Sequence, residues 1–127
     1  MISQPGGAGN GHGPWVLLLQ HGDPRFLSEA AAMTAAAVSL GLAVTLVWFG
    51  DALDALVEDF QDEEDTERAA QLFAEARQTG RVRFLACSAA MVNASAGPER
   101  VREKVDDVVG WPTTVSLILA AEKSFVW

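Results

Sequence analysis

The sequence predicts an α/β fold, a three-layer α/β/α sandwich around a mostly parallel sheet of four or five strands. Apolar, β-rich runs alternate along the chain with helix-compatible stretches of about 10–15 residues, which is the pattern of βαβ units. The first such run is apolar at nearly every position, as expected of a central strand covered on both faces. Cap and turn residues sit at the joints between the segments.

Residues 1–14 read as a flexible tail, with glycine at 6, 7, 9, 11 and 13 and proline at 5 and 14. One domain is expected over 15–127. Residues 15–20 form the first strand. Asp23 then suits an N-cap and Pro24 the first helical position, where a missing N–H costs nothing. The alanine-rich helix runs to Leu40, and Gly41 supplies the left-handed stop. Residues 43–49 make the second strand. Asp51 is placed to cap a helix carrying Leu53, Leu56, Val57 and Phe60 on one side. A third helix turns Ala69, Leu72, Phe73 and Ala76 inward and stops at Gly80. Residues 82–86 form the third strand and lead into Cys87. Gly97-Pro98 opens a helix carrying Val101, Val105, Val108 and Val109 inward. The closing segment reads as a helix over 112–121 and a strand over 124–127.

Composition excludes several function classes. A net charge of −8 argues against a nucleic-acid or anionic-membrane surface, both of which need clustered Lys and Arg. Nine of the seventeen acidic residues lie between Asp51 and Glu67 with no basic residue among them, which reads as a solvated face. Asp62-Glu63-Glu64-Asp65 lacks the alternating ligands and central glycine of a calcium loop. Apolar stretches break well before membrane-spanning length, and no secretory signal opens the chain. One cysteine makes no internal disulfide, so a cytoplasmic, reducing compartment is expected. Two histidines, His12 and His21, and one cysteine make no convincing zinc site, so no metal is expected. The Gly7-Ala8-Gly9 pattern precedes the first strand, whereas a phosphate loop follows one. No Gly-x-Ser-x-Gly elbow is present, and no cofactor is expected.

What remains is a thiol. Cys87 follows an apolar strand and precedes Ser88 and a helix-compatible run, so it falls at a strand-to-helix junction. Free N–H groups at a helix start favour a thiolate there. Ligands of such folds sit outside the carboxyl ends of the strands, and His21 ends the first strand as Cys87 ends the third. In flavodoxin-like ordering the first and third strands are neighbours, and His21 and Cys87 face one crevice. His21 is then a candidate base or cationic neighbour, and Ser88 a candidate hydrogen-bond donor to the sulfur. The competing reading makes Cys87 a buried structural residue. Function then passes to an assembly module whose tryptophans, Trp15, Trp48, Trp111 and Trp127, exceed what a small core easily covers.

Three segments resemble the DsrE/DsrF-like family, which includes the sulfur-relay proteins of the TusD type. They are residues 16–24 (VLLLQHGDP), 35–46 (AAAVSLGLAVTL) and 82–91 (VRFLACSAAM). The resemblance extends over about residues 15–127. It implies a DsrEFH-like α/β/α architecture and assembly as a homo-oligomer, a trimer or hexamer. It also implies a sulfur carrier, or sulfurtransferase-relay subunit, with a persulfide on the junction cysteine, here Cys87. Its partners would be sulfur-donor and sulfur-acceptor proteins or small thiols. With no second cysteine, any acceptor is another molecule.

Overall fold

In a computed structural model of the chain, residues 13–60, 64–94 and 97–127 are described. Residues 1–12 of the tail expected over 1–14 lie outside them, with His12 and the Gly7-Ala8-Gly9 pattern, as do the acidic residues Asp62 and Glu63. Five strands, β1 (Trp15–Leu19), β2 (Val44–Trp48), β3 (Val82–Cys87), β4 (Asp107–Val109) and β5 (Lys123–Val126), form one sheet. Its order is β4-β3-β2-β1-β5, and every neighbouring pair is parallel.

This order dictates the layers. From β1 to β4 each connection steps one strand in the same direction, and right-handed crossovers then put all their helices on one face. Those helices are α1 (Pro24–Ser39), α2 (Gly50–Val57), α3 (Glu64–Gln78), α4 (Ser88–Val92) and α5 (Pro98–Lys104). The connection from β4 to β5 runs back across the sheet, so α6 (Trp111–Ala120) covers the opposite face. The result is a three-layer α/β/α sandwich with unequal outer layers.

Side-chain alternation along the strands divides the core accordingly. Leu17, Leu19, Leu46, Trp48 and Phe84 point toward α1, α2, α3 and α5. Val16, Val47, Leu85, Cys87 and Val109 point the other way and meet Leu117 and Ile118 of α6. The first cluster is centred on an aromatic group. Trp48 lies edge-on to Phe73 at 5.5 Å and tilted against Phe84 at 5.0 Å.

The local signals of the first βαβ unit act as the sequence indicates. The Asp23 carboxylate accepts the Arg25 N–H at 2.8 Å, Pro24 opens α1, and Gly41 takes a φ of +86° beyond its end. Asp51 does not cap α2. The helix begins one residue earlier at Gly50, with Phe49 in the cap position, and Asp51 lies in the first turn. Phe60 is also outside α2. Asp59 and Phe60 both have positive φ, 59° and 54°, a conformation that costs a bulky residue energy and needs outside support. The Asp59 carboxylate takes it from α5, binding Arg100 at 2.7 Å and also Lys104. Part of the acidic run is thus an anchor rather than a solvated face.

The helix expected to carry Val101 through Val109 inward is divided. α5 ends at Lys104, and Asp107–Val109 become β4. Asp106 directs the change. Its N–H donates to the Phe84 carbonyl at 2.7 Å, and its carboxylate accepts the Phe84 N–H at 2.7 Å and Arg77 at 3.0 Å. The β-branched valines that follow suit a strand better than a helix.

Candidate functional site

The carboxyl ends of the strands form one rim of the molecule. Register aligns Leu19 with Trp48 and Trp48 with Ala86, so Gln20, Phe49 and Cys87 share one level across β1, β2 and β3. His21 lies one residue beyond that level. It is exposed and sits against the Phe26 ring at 5.3 Å between centroids.

The adjacency of the first and third strands does not occur, because β2 lies between them. Two strand spacings of about 4.8 Å separate the β1 and β3 axes, so His21 and Cys87 stand roughly 10 Å apart across the sheet. The reversal of strand order falls at β1 and β5, beside His21 and away from Cys87. The helix lengths and apolar strand patterns serve either order, which is why the sequence did not distinguish them.

Cys87 ends β3 and occupies the cap position of α4, but its side chain makes no capping hydrogen bond. It is 1 % exposed and belongs to the apolar cluster under α6. Ser88 opens α4 on the surface. Its Oγ faces the β4-to-α6 turn, since a Cβ placed on Gly110 would lie 3.7 Å from it. Cys87 and Ser88 are thus neighbours at the junction, with the thiol inward and the hydroxyl outward.

Two aromatic residues close this corner. Phe49 leaves β2 next to Cys87 and is 8 % exposed, and Trp111 opens α6. Their rings stack with centroids 5.2 Å apart and planes inclined by 26°. The pair was not legible as a unit, because it joins residues 62 positions apart through a crossing that only the strand order specifies. The sole sequence signal is Trp111 directly before Pro112, an aromatic side chain at a helix start.

The β1-to-α1 and β2-to-α2 turns are also locked together. A Cβ on Gly22 would fall 2.6 Å from the Asp51 carbonyl oxygen, so the close approach needs glycine. Near this contact the Asp23 carboxyl is held below its ordinary value, first by the Arg25 backbone N–H and then by the Arg25 side chain. Among the described residues, no group of three or more His, Cys, Asp or Glu side chains is arranged to hold a metal ion.

The profile of the DsrE/DsrF-like family matches residues 17–123, from β1 to the start of β5. The chain belongs to the DsrE/DsrF-like family. The DsrE-like fold is seen again in a solved structure, the protein of unknown function MTH1491 from Methanobacterium thermoautotrophicum. It is similar at a TM-score of 0.57 and 19 % identity, over 88 % of this chain and 97 % of that one. No curated protein sequence matches. Within the DsrE-like domain, Cys87 keeps the strand-to-helix position that its sequence indicates. No helix among the described residues is long and apolar enough to cross a membrane.

Proposed function

We propose that this DsrE-family chain is a cytoplasmic sulfur carrier, a relay subunit that holds a persulfide on Cys87. The observation that carries the reading is the position of the chain's one cysteine, at the carboxyl end of β3 and the start of α4. Loading is a thiol exchange. The Cys87 thiolate attacks the outer sulfur of a donor persulfide, the donor's S–S bond breaks, and the donor leaves as a thiolate. Unloading repeats the step. An acceptor thiolate takes the outer sulfur, and Cys87 leaves as a thiolate. No net oxidation occurs, so neither step needs a cofactor.

Burial of the thiol sets a condition on this chemistry. Reaction requires local opening at the Phe49–Trp111 stack or along α6. Ser88, on the outer side of the junction, is positioned to meet a sulfur that swings outward. His21, separated by the width of β2, is assigned no step.

The test is sulfur uptake. After exposure to a low-molecular-weight persulfide, mass spectrometry of the native protein is expected to show one added sulfur on the Cys87 peptide. The Cys87→Ser protein should show none. Absence of uptake, while an established carrier loads under the same conditions, would falsify the reading.

The 1 % exposure of Cys87 favours a second reading, a non-catalytic assembly module with a structural cysteine. Alkylation rate against pH separates the two. A thiol that reacts only above about pH 8.5, or only after unfolding, is structural.

A further inference from the structure

Two segments adjoin the thiol of Cys87, residues 88–98 from the junction to the start of α5 and residues 108–121 with α6, and neither contains a charged residue. The first charges met beyond them are both carboxylates. Asp51 follows Phe49 into the first turn of α2, and Asp107 begins β4; both are exposed. Asp107 is bound to the thiol by register. Cys87 pairs with Val109 and Leu85 with Asp107, so alternation along the strands turns all four side chains to the same face of the sheet. One strand spacing and two residues of rise put the Asp107 and Cys87 backbones roughly 8 Å apart. The Asp107 carboxylate accepts the Val108 N–H at 2.8 Å and makes no ion pair among the described residues.

The cations lie farther off. Arg83 shares this face of the sheet, but it is four residues back on β3, roughly 13 Å from Cys87. Arg25 is paired with Asp23 at 3.5 Å, beyond the end of β1. Arg77, Arg100 and Lys104 belong to the helix layer on the other face, where they pair with Asp106 and Asp59. Trp111 adds a surface that suits a cation. One face of its indole stacks on Phe49, while the side chain stays 51 % exposed at the corner that closes over the thiol. Indole attracts an ammonium group through its ring quadrupole.

On the sulfur-carrier reading, on which this rests, we infer that the donor to Cys87 is a small persulfide carrying an ammonium group, and that Asp107 is the residue that selects it. Burial favours a small donor, because the thiol is reached only through local opening. An anionic donor meets Asp107 and Asp51 on approach, within a chain of net charge −8, and then leaves its own charge unpaired in an uncharged corner. A cationic donor finds a carboxylate and an indole instead. At roughly 8 Å near a protein surface one charge changes a rate by about 2- to 30-fold, so the selection is a preference and not an exclusion. The chemistry is the same exchange. The Cys87 thiolate bonds to the outer sulfur, the donor's S–S bond breaks, and the donor departs as a thiolate with its ammonium group unchanged.

Loading from three preformed persulfides of similar size tests this, those of cysteamine, mercaptoethanol and mercaptopropionate, which end in an ammonium, a hydroxyl and a carboxylate group. Sulfur added to Cys87 is timed by mass spectrometry in the native chain and in Asp107→Asn, with a short cysteine peptide as the reference for intrinsic reactivity. Relative to the peptide, the native chain should load from the cationic donor at least about fivefold faster than from the anionic one, with the neutral donor between them. Asp107→Asn keeps an acceptor for the Val108 N–H and should lower that ratio at least about twofold. Raised salt should lower it in the native chain as well. Equal relative rates from the three donors, or fastest loading from the carboxylate donor, overturn the inference and leave the sulfur-carrier reading intact. A ratio that Asp107→Asn and salt both leave unchanged overturns the role of Asp107. No loading from any donor, while the peptide loads, overturns the carrier reading and the inference with it.

Discussion

Phe49 and Trp111 stack at 5.2 Å beside the thiol of Cys87, joining the end of β2 to the start of α6. This pair connects the helix layer above the thiol to the strand next to it. An offset aromatic pair contributes about 0.5–1.5 kcal/mol beyond the area it buries. If the pair gates the thiol, Trp111→Ala should speed alkylation of Cys87 by about 2- to 10-fold under native conditions, with a small loss of stability. Timed labelling with a small alkylating reagent, quenched and read by mass spectrometry, checks this. An unchanged rate would place the opening elsewhere along α6.

Asp59 holds the turn after α2 through Lys104 and Arg100. The Lys104 hydrogen bond is the main cause that keeps its carboxyl below the ordinary 3.8, with the charges of Lys104 and Arg100 assisting. A depressed folded-state value means that the stabilisation is complete above the unfolded value and is lost as pH falls through the folded one. Asp59→Asn keeps a residue that tolerates positive φ and removes only the charge. It should cost about 1 kcal/mol or less at pH 7, because solvent screens the exposed pair. Urea midpoints of the two proteins should converge as pH falls below 3.8.

Trp48 is fully buried, and its indole N–H has no hydrogen-bond partner among the described residues. Phe73 and Phe84 surround it, and their ring faces compensate an N–H weakly at best. Trp48→Phe removes the unsatisfied donor while leaving a modest void, so the two effects oppose. The expected change is within about 1–2 kcal/mol, against roughly 3–5 kcal/mol for Trp48→Ala. Guanidinium unfolding of the pair of variants provides the comparison.

Gly22 has no room for a side chain, since its Cβ would meet the Asp51 carbonyl oxygen at 2.6 Å. Backbone cannot yield as a flexible side chain does. Gly22→Ala should therefore separate the two turns and cost about 1–3 kcal/mol, seen as a fall in melting temperature of several degrees. Gly97→Ala, with open space around the added methyl, is the matched control and should change little.

The first βαβ unit was legible because its signals are local. Asp23, Pro24 and Gly41 each act within a few residues. β4 was not, because it depends on Asp106 reaching the Phe84 backbone 22 positions away. The junction position of Cys87 could be read from the apolar run before it. Its burial could not, because Leu117 and Ile118, which cover it, follow some 30 residues later and arrive by a crossing that reverses the strand order. The position of β2 between β1 and β3 separates His21 from the thiol, a relationship that no spacing along the chain encodes.

The backward crossing of α6 also has a consequence for biosynthesis. Every strand that α6 covers precedes it in the chain, and β5 pairs with β1, made more than a hundred residues earlier. As the polypeptide leaves the ribosome, the helix layer over α1 to α5 can assemble while the thiol-bearing side of the sheet is still bare. A nascent chain halted before Trp111 presents both Cys87 and the free edge of β1 to solvent. The newborn protein thus passes through a stage in which its sulfur atom is open to oxidants and its sheet to adventitious strands, and synthesis of residues 111–127 ends both exposures.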